Sequence, residues 1–124
     1  MRLELTGWHA VPKARPRVTS RGTYMPPGYQ DWLNETRVQL MLAYRGHQLL
    51  DVPVAVQVLI VADKKPRGDL DNLLGAVLDA GNGQVWKDDR QVHSCSCAWL
   101  KPSAEQPAGL VVVVEPVGGS NGQK

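Results

Sequence analysis

The feature that most constrains this chain is a valine-dense stretch, Val52–Ala62, followed by a stretch of helical period, Asp69–Ala80. After Pro53 the first is nearly continuous in apolar character, the pattern of a strand buried on both faces. In the second, Leu70, Leu73, Leu74, Val77 and Leu78 recur at the i, i+3, i+4, i+7, i+8 spacing of one buried helical face. Gly81-Asn82-Gly83 stops that helix. Gln91–Leu100 reads as a strand. A strand, a helix and a strand in this order predict a parallel pair joined by a right-handed crossover. Asp69 and Asp71 then fall just past the carboxyl end of the first strand, where α/β folds usually hold ligands.

The remaining segments fit around that unit. Arg2–Trp8 reads as a strand with Leu3, Leu5 and Trp8 on its apolar side. Lys13–Tyr24, rich in Pro, Arg, Gly and Thr, reads as irregular or as a hairpin. Tyr29–Tyr44 reads as a helix whose apolar face holds Trp32, Leu33, Val38, Leu40, Met41 and Leu42, with Gly46 ending it. Leu110–Glu115 is a last strand. The order is β, loop, α, β, α, β, β. It predicts an α/β (α+β) sandwich: a single mixed β-sheet packed with two helices. The length of 124 residues suits one domain, expected over residues 1–117, with 118–124 a Gly- and Ser-rich flexible tail. With no phenylalanine, four tryptophans and the aliphatic residues must fill the core.

No apolar run is long enough to span a bilayer, and Met1–His9 lacks the apolar stretch of a signal peptide. A cytoplasmic location is the expectation. Cys95 and Cys97 sit two apart, so on a strand they share a face. A disulfide across that spacing is strained, and no second Cys/His pair completes a zinc site; two free thiols are expected.

The net charge is only +2, but it is unevenly distributed. Met1–Tyr24 carries Arg2, Lys13, Arg15, Arg17 and Arg21 against Glu4 alone, whereas the acids gather around Asp63–Asp89. A hydrolase of an anionic polymer needs that division, with cations on phosphate and carboxylates on a metal. Gly68-Asp69-Leu70-Asp71-Asn72-Leu73 and Val85-Trp86-Lys87-Asp88-Asp89-Arg90-Gln91-Val92 are the informative blocks. Phosphodiester hydrolysis needs an activated water, a stabilised transition state and a stabilised leaving alkoxide, and one or two Mg²⁺ ions supply all three. Asp69 and Asp71 at a helix start, joined by Asp88 or Asp89, form a candidate oxygen site. Carboxylates about 5 Å apart repel by roughly 3 kcal/mol at an effective dielectric near 20, so convergence calls for a cation or for protonation. A plainer reading stays open: Asp69 caps the helix, Asp71 favours its dipole and Asp88-Asp89 is a solvated turn. Asp79 is a supporting hydrogen bonder, a ligand or a surface acid.

Arg15 and Arg17 flank Pro16 and, on an extended chain, point the same way, which suits phosphate contact. Lys13 precedes them, and Tyr24 can stack on an unpaired base. Lys64, Lys65 and Arg67 stand just before Asp69. Solvated loops explain both basic groups equally well. Trp8, Trp32 and Trp99 are expected in the core. Trp86, close to Asp88, is core or a wall of the site. His93 is near enough in sequence to assist proton transfer.

Two blocks carry a resemblance to a known family. Lys13-Ala14-Arg15-Pro16-Arg17 through Gly22-Thr23-Tyr24-Met25-Pro26 is the first. The second runs from Arg67-Gly68-Asp69-Leu70-Asp71-Asn72-Leu73 through Val77-Leu78-Asp79-Ala80 and Asn82-Gly83 to Val85-Trp86-Lys87-Asp88-Asp89-Arg90-Gln91-Val92. Together they resemble the RusA family of Holliday junction resolvases, phage and prophage members included. The resemblance implies a homodimer that makes paired nicks in a four-way DNA junction with Mg²⁺ or Mn²⁺, in recombination and repair. It implies Asp69, Asp71 and Asp89 as the essential carboxylates. Members typically carry a lysine where this chain has Gly75, for which Lys101, Lys87 or Arg90 are the compensating candidates. That departure keeps two alternatives in view: a non-catalytic junction-binding dimer, and a nuclease acting on other branched DNA such as flaps or forks.

Overall fold

The computed structural model describes residues 1–10, 17–19, 22–24, 27–66 and 69–117. Six strands and two helices follow in the order β1 (Arg2–Thr6), β2 (Arg17–Thr19), β3 (Gly22–Tyr24), α1 (Pro27–Ala43), β4 (Val54–Val61), α2 (Leu70–Gly81), β5 (Val92–Leu100) and β6 (Gly109–Pro116). A short 3₁₀ turn, Asp89–Gln91, leads into β5. Four strands form one mixed sheet in the order β1-β6-β4-β5, and β2 and β3 form a separate hairpin.

The expected parallel strand pair joined by a helix is present. β4 and β5 are parallel neighbours, from Val54 opposite Val92 to Val61 opposite Leu100, and α2 connects them. β6 runs antiparallel to both β4 and β1. Thr6 faces Gly109 there, and Gly109 holds φ +150 in close approach to the Leu5 backbone, where a Cβ has no room.

Two sequence expectations need correction. β4 is buried on one face, not two. Val54, Val56, Val58 and Ile60 are at most 2% exposed, while on the alternate positions Gln57 is exposed, Ala55 and Leu59 are half-buried and only the terminal Val61 is buried. A valine run has the same appearance in either situation, and here both helices pack on one side of the sheet. The apolar face of α1 is also displaced. Tyr29, Trp32, Leu33, Thr36 and Leu40 are buried, whereas Val38, Met41 and Leu42 are 50%, 48% and 52% exposed. The cause is a pair of indole clamps between α1 and the β1 end of the sheet. Trp8 Nε1 donates to Thr36 Oγ1 at 3.1 Å, and Trp32 Nε1 donates to the His9 carbonyl at 3.0 Å. They turn the Thr36 side of α1 inward.

Trp8, Trp32 and Trp86 are core residues, as expected, and Trp99 is half-buried with its indole N–H on the Ala62 carbonyl at 2.9 Å. Cys95 and Cys97 are free thiols. Burial, and next the nearby negative charge of Asp71, push the Cys97 thiol up to about 11. Among the described residues no helix is long and apolar enough to cross a membrane.

Candidate functional site at the two ends of α2

β4 ends at Val61, and the chain turns through Lys64 and Lys65, both exposed, before α2 begins. Asp69 is the N-cap of α2, with extended backbone angles (φ −77, ψ 144), and its carbonyl accepts from Leu73 N at 3.1 Å. Its side chain makes no capping hydrogen bond, which corrects the capping role allowed by the sequence. The carboxylate faces solvent. Asp71, in the first turn, is also exposed, and its charge acts on Cys97 of β5. Among the described residues no ion pair engages either carboxylate. Asn72 is exposed beside them.

The far end of α2 is built differently. Gly81 closes the helix, and an added Cβ there would sit 2.5 Å from the Trp86 ring. Trp86, 1% exposed, donates its indole N–H to Asp89 Oδ1 at 3.0 Å. Asp88 caps the 3₁₀ turn. Its carboxylate accepts from Arg90 N at 2.9 Å, while Gln91 Oε1 accepts from Asp88 N at 2.8 Å: a reciprocal capping box. The Gln91 amide also donates to the carbonyls of Leu50 and Val52, at 2.8 and 3.0 Å. The Arg90 backbone amide and then its guanidinium hold the Asp88 carboxyl below its ordinary range. Asp88 is therefore engaged in holding the turn, and Asp89 is the exposed carboxylate that the turn presents.

The lone chain brings Asp69 and Asp71 together at one end of α2, and Asp88 and Asp89 at the other. From Asp71 to Gly81 the helix rises about 15 Å. Accordingly, no group of three His, Cys, Asp or Glu side chains placed to hold a metal ion occurs among the described residues.

The model for endodeoxyribonuclease RusA matches residues 8–115, nearly the whole chain. The chain belongs to the RusA endodeoxyribonuclease family. No curated protein matches it.

As a RusA-family nuclease, the chain is expected to bring cations to DNA. Lys13, Arg15 and Arg67 lie outside the described residues, and Arg17 is described only as backbone in β2. Of the candidates to replace the family lysine, Lys87 pairs with Asp51 at 3.3 Å and Arg90 with Asp88 at 3.3 Å. Lys101 follows β5 directly, at the strand end nearest Asp69, and is exposed with no ion pair among the described residues. Asp79 lies on the α1 side of α2. Burial raises the Tyr29 hydroxyl pKa, and the charge of Asp79 raises it further. His93 is exposed at the start of β5. Sequence reading missed Gly81 and Gln91. The Asp88-x-x-Gln91 spacing was a usable signal, because it is a capping-box pattern; Gly81 had no signal beyond its role as a helix stop.

Proposed function

We propose that this RusA-family chain is a divalent-metal-dependent, structure-selective endonuclease that resolves four-way DNA junctions by paired nicking, working as a homodimer in the cytoplasm. The observation that carries the reading is the pair of unengaged carboxylates, Asp69 at the N-cap of α2 and Asp71 two residues on, just past the carboxyl end of β4. Mg²⁺ commonly uses one or two carboxylates, with water and substrate phosphate completing the octahedron, so these residues fit Mg²⁺ or Mn²⁺. When bound, such an ion supplies an activated water and charge neutralisation at the phosphate. Lys64, Lys65 and Lys101, with Lys13, Arg15, Arg17 and Arg67, grip the flanking phosphates. Asn72 and Asp79 support the helix end and the α1 contact.

The homodimer gives Asp89 its place. The two sheet edges differ. β1 carries Arg2 and Glu4, ion-paired at 3.0 Å, whereas β5 has nine residues without a charged side chain or a proline. Such an edge invites strand pairing. Antiparallel pairing of β5 with its copy, about a two-fold axis near Ser96, sets the start of one β5 beside the end of the other. Asp69 and Asp71 of one subunit then meet the partner's Asp89, and two identical sites suit two symmetric nicks.

The test is cleavage of a synthetic four-way junction by the purified chain in Mg²⁺ and in Mn²⁺, compared with a fork, a flap and linear duplex. Symmetric nicking of the junction is expected. Mixing Asp71→Asn with Asp89→Asn restores one nick per dimer if the site is shared, because one of the two sites is then intact. Absence of cleavage in either metal sinks the catalytic reading. Gly75, where the family carries lysine, favours a second reading, a junction-binding dimer without catalysis. Tight junction binding without cleavage, together with cleavage gained by Gly75→Lys, selects it.

A further inference from the structure

The geometry points to Trp86 as a positioning residue that aims Asp89, with Gly81 as the seat that lets it do so. The inference rests on the reading of Asp89 as a metal-holding carboxylate and goes beyond it.

All four indole N–H groups have acceptors. Those of Trp32 and Trp99 go to backbone carbonyls, and that of Trp8 goes to the buried hydroxyl of Thr36. These bonds tie one part of the fold to another. The Trp86 indole alone donates to an exposed carboxylate, Asp89 Oδ1. The ring itself is fully buried, so its N–H is a fixed donor and does not move with solvent. A buried donor that holds one carboxylate oxygen sets the direction of the other.

The surroundings leave Asp89 free of competing demands. Arg90, the adjacent cation, is drawn to Asp88 through both its backbone and its guanidinium. Gln91 anchors the turn to Leu50 and Val52. Asp89 has no ion pair among the described residues. The whole turn thus consumes its other polar groups internally and offers one carboxylate, steered by one indole. The ring reaches that place only because residue 81 has no Cβ: the ring carbons stand 2.5, 2.7 and 3.1 Å from where one would lie. No other residue type fits Gly81 without moving Trp86.

The test is a double-mutant cycle on the full chain, with Mn²⁺ as the probe. Free Mn²⁺ is counted by electron paramagnetic resonance, and junction binding is measured without metal. Trp86→Phe keeps a buried ring and removes the N–H. It is expected to weaken Mn²⁺ binding about 10-fold or more, while metal-free junction binding stays within about 2-fold. In an Asp89→Asn background the same change should add less than about 2-fold, because the effect passes through Asp89. Gly81→Ala, which displaces the ring and leaves its N–H intact, should also weaken Mn²⁺ binding. It serves as the second variant if Trp86→Phe does not fold. Equal losses in both backgrounds would show a merely structural Trp86 and overturn the proposal. So would undiminished Mn²⁺ binding by Trp86→Phe when Asp89→Asn has lost it. If Asp89→Asn itself binds Mn²⁺ normally, the reading of Asp89 as a ligand fails, and the positioning role fails with it.

Discussion

The two ends of α2 carry acidic residues of the same kind in opposite states. At the start, Asp69 and Asp71 face solvent, and the N-cap side chain declines the hydrogen bond its position offers. At the finish, Asp88 is tied into a capping box, Asp89 is held by a buried indole, and Gln91 bolts the turn to the segment between α1 and β4. One end is open and underused by the fold; the other is over-determined. The difference teaches where function and stability reside. Carboxylates that the fold does not need are available to an external cation. The turn that carries Asp89 is held in place by the hydrogen bonds of its neighbours.

Breaking the open end should therefore cost activity and little stability. Asp71→Asn removes one negative charge from an exposed position. Junction cleavage is expected to fall by at least about 10³-fold, equivalent to roughly 4 kcal/mol of transition-state stabilisation. The free energy of unfolding should change by no more than is usual for surface substitutions, about 0.5 kcal/mol. Single-turnover cleavage and a denaturant melt on the same sample check both halves. A variant that cuts normally would remove the open end from the chemistry. One that unfolds would erase the contrast.

How far the sequence could carry this picture depended on the residue. α2 was legible because Leu70, Leu73, Leu74, Val77 and Leu78 share one helical face and no alternative period fits them. The parallel β4–β5 pair followed from that helix. The exposure of one face of β4 was not legible, since valines on a half-covered sheet read like valines in a fully covered one. Nor was the inward face of α1. Thr36 is the buried polar residue there, and it is inside because Trp8 needs an acceptor, a long-range fact that no local pattern records. For the candidate site, the acidic blocks stood out at once, but their linear spacing said nothing of whether they met. The helix between them did: twelve residues at about 1.5 Å each hold its ends apart, so a single chain with this helix separates the two pairs.

Breaking the over-determined end should reverse the outcome, with stability lost first. Gln91→Ala removes an amide that donates to two carbonyls and a carbonyl that accepts from Asp88 N. A loss of about 0.5–1.5 kcal/mol is expected, because water can reach the exposed partners and only the bond to Leu50 is part-buried. Urea unfolding measures it. A midpoint equal to wild type would mean that the Asp88 cap and the Trp86 contact hold the turn without the Gln91 side chain.

The smallest effect sharpens the comparison through pH. Asp88 is depressed below its ordinary 3.8, first by the Arg90 backbone amide and then by its side chain. A depressed carboxylate stabilises the fold above its unfolded value, and that contribution disappears as the pH falls through the folded value. Asp88→Asn keeps a side-chain oxygen that can cap the turn and removes the titration. Wild type should therefore be slightly the more stable at pH 7 and lose that margin on acidification below about pH 4, where the two unfolding curves converge. Because the group is exposed, salt should shrink the margin as well. Parallel curves at every pH would show that the charge of Asp88 contributes nothing, and that the turn rests on hydrogen-bond geometry alone.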